Sequence, residues 1–437
     1  MRRALSRAFA CVLALSVSPR AQADNATLTL TAALQRARER APELRAAHAQ
    51  RDAAAATVSV QRSAYVPAIS ASVSSSGSAV RDTQPAPDGL FVFEQYSASA
   101  TLSGSLRWTL WDFGRTRNNV RAADAVHASA SARASVVEAE VASNVATAYV
   151  VLFYKEQLHA VIRATVAQRE KLVTLARGLV KSGLQPPVEE MRAAARADAS
   201  RAQLAVAEAD RQDARAQLAA LLFLDPSQPI ELAPPRLRRL DVDSSAAMRT
   251  AEALPIVAAV SREREASAAA VDAARARYRP TLSLSLDGFL RGARFDQSDT
   301  LVNTERGEAV LVLSVPIVDA SIAPGVRRAR ADAAAADAAL EQLRRDAASD
   351  ITRAAIAVRT SEDALTFATN AADRASAVLQ VIQSRYAQGL ASPLELIDAE
   401  NADSDARIQR TQAEFANALA RVRIFVATGN PIVEEPR

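Results

Sequence analysis

Residues 96–114 read YSASATLSGSLRWTLWDFG. Tyr96, Ala98, Ala100, Leu102, Gly104, Leu106 and Trp108 share one parity, and Ser97, Ser99, Thr101, Ser103, Ser105 and Arg107 share the other. A period of two over so long a run predicts a strand with one apolar and one hydroxyl-rich face, and it has no helical reading. Tyr96 and Trp108 lie near the two ends of the apolar face, as aromatic residues do where a barrel strand crosses the two interfaces of a bilayer. From Arg115 to Lys181 the chain then holds no proline and only one glycine, Gly178. A helix of that length reaches about 90–100 Å at 1.5 Å per residue. A membrane-type strand that feeds such a helix predicts a mixed α and β fold, mainly long antiparallel coiled-coil helices.

Three further segments carry the strand pattern. Leu282, Leu284 and Leu286 alternate with Ser283, Ser285 and Asp287. Ile69, Ala71 and Val73 give a weaker version, as do Ala309, Leu311, Leu313 and Val315. Polar, turn-rich stretches from Val80 to Glu94 and from Arg291 to Arg306 are predicted as the loops between paired strands. Four strands cannot close a barrel in lipid, because an open edge strands unpaired backbone groups in hydrocarbon. Several copies must contribute. Two would give about eight strands and three about twelve, and a lumen wide enough for solutes favours the larger count.

The chain also repeats itself. Pro42, Tyr65 and Pro67 recur 213 positions later, as Pro255, Tyr278 and Pro280. Leu110-Trp111-Asp112 is echoed by Ile317-Val318-Asp319, and Gly183-Leu184 with Pro187 by Gly389-Leu390 with Pro393. A second proline-free run, from Val326 to Gln388, matches the first. Helices this long need a partner along their length. Val137, Val141, Val145, Ala148 and Leu152 step by three and four and form a coiled-coil-like seam. Each long helix stops at its Gly-Leu turn, and a second helix returns over about Val188–Phe223 and Leu394–Ala427. The expected organisation is a signal peptide over 1–23, a first repeat over 24–224 and a proline-rich connector over 225–243. A second repeat over 244–430 and a tail over 431–437 complete it.

The N-terminus predicts export. Arg2, Arg3 and Arg7 precede a short apolar core, Ala8 to Val17, and Ala21-Gln22-Ala23 resembles a small-x-small cleavage site. The single cysteine, Cys11, lies inside this signal and is poorly placed for lipid attachment. Nothing after residue 24 offers about 18 uncharged apolar residues, the length of a membrane-spanning helix.

Composition narrows the function. Aromatics make up 4% of the 437 residues and glycines number 12, a profile of long helices packed through small side chains. The formal charge is +4 with acids and bases interspersed, so nothing marks a nucleic-acid interface. His48, His127 and His159 stand apart with no carboxylate or cysteine at ligand spacing, so no metal site is expected. No phosphate loop, nucleophile elbow or HExxH motif occurs; neither a cofactor nor an enzyme activity is expected. Glu341 and the Glu189-Glu190 pair fit solvated helix faces, and Glu395 and Asp398 fit the first turn of a helix, whose dipole they complement.

The duplication, the two Tyr-x-Pro motifs, Leu110-Trp111-Asp112-Phe113-Gly114 and the Gly-Leu turns resemble the TolC-like outer-membrane factor family over nearly the whole mature chain. The most specific stretch is Arg385-Tyr386-Ala387-Gln388-Gly389-Leu390 followed by Leu394-Glu395-Leu396-Ile397-Asp398-Ala399, which is similar to the family's second periplasmic turn. The resemblance implies a homotrimer with a twelve-stranded transmembrane β-barrel and an α-barrel through the periplasm. It also implies an outer-membrane channel subunit for tripartite efflux or type I secretion, docked to a periplasmic adaptor and an inner-membrane pump. On that basis Glu395, Asp398, Glu189 and Tyr386 are expected at the pore constriction, and Gly183, Leu184, Gly389 and Leu390 at the adaptor-docking tips. Tyr96, Trp108 and Trp111 are expected at the membrane interface, against outer-membrane lipid. Three departures stand out: Ala391 replaces a basic latch residue of one well-known member, the first turn carries Pro186-Pro187, and Phe223 stands where a small residue is usual. A pore-free periplasmic scaffold and an adaptor protein remain alternatives, and the cargo stays open among drugs, metal ions and polypeptides.

Overall fold

The computed structural model describes residues 27–87, 89–183, 185–225, 230–238, 240, 247–295, 302–388 and 390–432. The expected signal peptide with Cys11, the end of the tail, part of the connector, Leu184 and Gly389 lie outside the described residues.

Each half runs short helix, helix, two strands, long helix, return helix. The first comprises α1 (Leu30–Arg40), α2 (Pro42–Ser63), β1 (Ala68–Ala86), β2 (Gly89–Trp111), α3 (Arg115–Lys181) and α4 (Pro187–Leu221). The second comprises α5 (Ala247–Glu252), α6 (Pro255–Ala276), β3 (Thr281–Phe295), β4 (Val302–Ser314), α7 (Ile322–Ala387) and α8 (Pro393–Thr428). α2 and α6 both have 22 residues, and α3 and α7 have 67 and 66, so the duplication extends to element length.

The strands form one antiparallel sheet in the order β1-β2-β3-β4, with β1 and β4 at its edges. Register fixes the faces. Ser72 pairs with Ser103, Ser103 with Phe289 and Phe289 with Arg306, so the hydroxyl face of β2 continues across all four strands. Four serine pairs bridge β1 and β2 through their hydroxyls: Ser70 with Ser105 and Ser72 with Ser103 at 2.8 Å, Ser76 with Ser99 at 3.0 Å and Ser78 with Ser97 at 2.7 Å. The opposite face carries Val73, Leu102, Leu290 and Leu286.

Both predicted loops are too long. β1 and β2 stay paired from Ala68 with Arg107 to Ala86 with Gly89, and β3 and β4 take up both ends of the stretch from Arg291 to Arg306. Beyond the apolar band the alternation fades while the backbone ladder continues, so a polar ribbon reads as a loop. Pro85 fits because β1 is an edge strand. Gly89, at φ +134°, opens the return strand.

A β-bulge interrupts the alternation at the end of β2. Thr109 pairs with Ser283, but Trp111 pairs with Leu282, so the register slips by one at Leu110. Parity alone would put Trp111 on the serine face. The bulge returns it to the apolar face with Leu282 and Trp108.

The long helices match their expected spans closely. α3 has the predicted bounds, while α7 begins four residues early and contains Pro324 in its first turn, where a missing N–H costs nothing. Side by side, α4 packs on α3, α3 on α8 and α8 on α7 in the half carrying the return helices; α2, α3, α6 and α7 adjoin in the half nearer the sheet. α3 also contains one stretch apolar and long enough by composition to cross a membrane, although its uncharged run, between Glu140 and Lys155, stays short of the length that the sequence lacks. Its most apolar part supplies the main core: Val145, Ala146, Tyr149, Val150 and Leu152 are buried with Leu218, Val422 and Phe425. The predicted seam is present there but wider than a single stripe. The Tyr149 hydroxyl lies 2.7 Å from the Leu28 carbonyl and 2.6 Å from the Ala233 carbonyl, tying the N-terminal segment and the connector to α3. Burial pushes its pKa up to about 12, so it stays a neutral donor.

Phe223 and Gly429 close α4 and α8 alike. Both have positive φ, 54° and 69°, and each is followed by an amide bonded five residues back, Leu224 to Ala219 and Asn430 to Phe425. Phe223 occupies a left-handed position that glycine fills in the second half.

Candidate functional site at the helical tip

The ends of α3 and α7 and the starts of α4 and α8 form the tip farthest from the sheet. Proline at N1 opens each return helix, Pro187 on α4 and Pro393 on α8. At the second turn the Leu390 amide bonds the Arg385 carbonyl at 2.8 Å, and the Leu390 side chain is 63% exposed. Gly183 has φ +75° and ends α3 as expected.

The four expected constriction residues have different surroundings. Glu395 forms a capping box: its carboxylate accepts from the Ser392 amide at 2.7 Å, and Ser392 Oγ accepts from the Glu395 amide at 3.2 Å. Asp398 is exposed and has no hydrogen bond or ion pair among the described residues. Glu189 pairs with Arg192 at 2.8 Å on its own helix, while Glu190 reaches Arg177 of α3 at 2.8 Å. Tyr386 packs beside Leu379, Leu396, Ala399 and Leu172. Glu189 and Tyr386 line one cavity between the two hairpins, together with Leu179, Leu396 and Glu400. Glu395 and Asp398 do not line it.

Toward the sheet, that cavity ends in a polar layer that sequence reasoning missed. Arg169 on α3 donates to the Arg196 carbonyl (3.4 Å) and the Ser200 hydroxyl of α4, and to Asn401 Oδ1 of α8 (3.2 Å). Thr165 and Ser404 share a hydrogen bond of 2.8 Å across the same seam. Asp403 is 3% exposed; one of its oxygens pairs with Arg407 at 2.9 Å, and the other has no hydrogen-bond partner. Glu400 likewise has one buried oxygen without a partner. Burial raises its pKa, against the pull of Gln168 and Arg169 and with a push from Asp403. A signal existed in the sequence: Leu396, Ala399, Asp403 and Ala406 step by three and four, so an acid occupies a seam position of α8.

At the other end, Tyr96, Trp108 and Trp111 are all exposed on the apolar face, and the Trp108 indole N–H donates to the Tyr65 carbonyl at 3.0 Å. Glu341 pairs with Arg345 on an exposed face, and His159 with Glu208 at 3.2 Å. Among the described residues, no group of three potential ligands is placed to hold a metal.

Known proteins share this architecture. The outer-membrane channel OprN aligns with 92% of this chain and 90% of its own, at TM-score 0.77 and 23% identity. The CmeC outer membrane channel of Campylobacter jejuni aligns with 95% of this chain and 87% of its own, at TM-score 0.79 and 18% identity. In sequence, protein CyaE of Bordetella pertussis is 29% identical over 334 residues, which is 75% of this chain and 68% of that protein. The outer membrane efflux protein model matches residues 33–222 and 250–430, both repeats, and the chain belongs to that family.

Proposed function

We propose that this chain is the channel subunit of a tripartite efflux or type I secretion system, a passive exit duct through the periplasm and outer membrane. The observation that carries this reading is the four-stranded sheet. It has one apolar face, one serine face and two edge strands, and it sits at the end of helices about 100 Å long. Joining β4 of one copy to β1 of the next satisfies both edges, and three copies give twelve strands round a hydroxyl-lined lumen. The helices then close in the same sense, with the free side of α7, which exposes Phe367 and Val378, against the free side of α4, which exposes Val206. The adaptor docks at the tips, where the exposed Leu390 offers an apolar side chain to a partner helical hairpin and Leu184 is its counterpart in the sequence of the first turn. The pump sits beyond the adaptor.

The test has two parts. Detergent-extracted protein is sized by light scattering with micelle correction; a trimer is expected, and a detergent-independent soluble monomer would exclude the channel. Leu184→Asp with Leu390→Asp should then abolish in-cell cross-linking to the adaptor and abolish export, with trimer yield and reconstituted conductance unchanged. Retained cross-linking and export would remove the tips from docking.

A further inference from the structure

We infer that β4 of one copy pairs with β1 of the next in a single register, with Glu305 of one copy opposite Arg81 of its neighbour, and that this ion pair on the outer face of the barrel pins the register. The inference rests on the proposed trimer and gives its seam a residue-by-residue form.

The register comes from the internal duplication. Tyr65 and Pro67, which lead into β1, recur 213 positions later before β3, and Leu110-Trp111-Asp112, at the end of β2, recurs 207 positions later as Ile317-Val318-Asp319. Both hairpins obey these two offsets: Ala68 opposite Arg107 becomes Thr281 opposite Ser314. β2 meets β3 where the first repeat adjoins the second, and a seam between β4 and the next copy's β1 brings the equivalent strands together again. Carried through the same offsets, Leu106 opposite Leu286 becomes Leu313 opposite the neighbour's Val73. Likewise Ala98 opposite Arg294 becomes Glu305 opposite the neighbour's Arg81.

Face, length and charge each agree with this register. Glu305 pairs with Leu290 and Leu290 with Leu102, so Glu305 lies on the apolar face; Arg81 shares the parity of Val73, on that same face. All of β4, Val302–Ser314, then finds partners between Ser72 and Gln84, inside the span of β1, and Pro85, which has no N–H to donate, falls one residue past the end. Glu305 is exposed and has no hydrogen bond or ion pair among the described residues. Arg81 stands opposite Glu94 in its own hairpin, so across the seam glutamate, arginine and glutamate alternate on three adjoining strands. Arg81 lies two residues beyond Ala79, the partner of Tyr96, which puts the pair at the outer interface, where charge on the lipid side costs little. The seam needs such a mark. Serines recur at every second position of β1 from Ser70 to Ser78, and Ser75 and Gly77 stand between them, so a slip by two residues changes little else. That slip would set Glu305 opposite Ala79 or Thr83.

The test uses full-length trimers in which Cys11, the one cysteine of the sequence, is replaced by alanine. Leu311→Cys with Ser75→Cys on the outer face, and Val312→Cys with Ser74→Cys on the inner face, sample both kinds of cross-strand pair. Oxidation should give a covalent trimer in denaturing, non-reducing gels for at least one of them. The slipped combinations, Leu311→Cys with Val73→Cys or Gly77→Cys and Val312→Cys with Ser72→Cys or Ser76→Cys, should link far less. Glu305→Arg should lower the temperature at which trimers dissociate in detergent, and adding Arg81→Glu should recover part of that loss. Preferred linkage of a slipped combination would overturn the register. A double charge variant that dissociates at a lower temperature than Glu305→Arg alone would overturn the ion pair. Absence of any linkage in a protein that also sizes as a monomer would overturn the proposed trimer, and the seam with it.

Discussion

Arg169 and Asn401, 232 positions apart, are joined by a hydrogen bond of 3.2 Å that ties the first hairpin to the second just above the tip. Arg169 also holds the Ser200 hydroxyl, so one guanidinium bridges α4, α3 and α8. Its long side chain leaves water to do this, which is favourable only because its donors find fixed acceptors. Arg169→Ala should therefore loosen the seam by about 2–3 kcal/mol, the scale of hydrogen bonds to a charged group. Reconstituted channels would show longer open dwell times, and tip amides would exchange faster with deuterium. Unchanged exchange in α8 around Asn401 would show that the bridge holds nothing together.

Glu400 gives the same seam a dependence on pH. Its carboxyl is pushed up by burial, opposed by Gln168 and Arg169, and faces Asp403 on its own helix. Arg196 and Ser200 of α4 meet Arg169 rather than Glu400, and Arg407 neutralises part of Asp403. The closed seam thus favours the protonated form. Stabilisation from the neutral acid is fully present below the ordinary glutamate range and is lost as pH rises through the raised value. Acid should lengthen closed dwell times, and Glu400→Gln should make them long and independent of pH. Single-channel recording with pH varied only on the tip side checks this; a Glu400→Gln channel that keeps the wild-type pH response would remove the group from gating.

The sheet allows a sharper comparison. Leu102 and Ser103 are neighbours on opposite faces, with Ser103 hydrogen-bonded to Ser72. Leu102→Arg should cost about 2–4 kcal/mol of barrel stability, the scale for a cation facing lipid at mid-membrane. Ser103→Arg faces the lumen and should be tolerated, with a lowered cation conductance. Heat-modifiable migration of the trimer in detergent gels would report both. Equal destabilisation would mean that the two faces are not lipid and lumen.

How much of this was legible follows from which forces write on sequence locally. The long helices were, because absence of proline and a three-four apolar step act residue by residue; Arg115 and Lys181 are the ends in both readings. The face of β2 was, because burial of one side imposes parity. The true length of the hairpins was not, since beyond the apolar band the backbone ladder continues, with Val80 opposite Gln95, where the side chains no longer alternate. The slip that puts Trp111 on the face of Leu282 and Trp108 was not, because a bulge costs one residue and leaves no compositional mark. At the tip the turns were clear from Gly183 and Pro187. The Arg169 layer was not, because the partners of this α3 residue come from two other helices, α4 and α8, that only folding brings together.

The acids at the second turn now separate into two roles. Glu395 and Asp398 are three apart on α8, and the sequence gives them equal standing in a ring. The Glu395 carboxylate, however, is engaged by the Ser392 amide, while Asp398 is exposed and unpaired among the described residues. A carboxylate that already accepts a backbone hydrogen bond is turned toward its own helix start and less able to coordinate an ion. In a trimer, three Asp398 side chains would face one axis and repel one another, and a multivalent cation would relieve that repulsion. Asp398→Ala alone should therefore abolish block by a trivalent cation added from the tip side. Glu395→Ala should keep most of the block but lower helix-start stability by about 1 kcal/mol, the usual worth of a cap. Conductance titrations on each single variant distinguish the two. Block lost with Glu395→Ala and kept with Asp398→Ala would reverse the assignment, and block kept in both would place the constriction elsewhere on the tip.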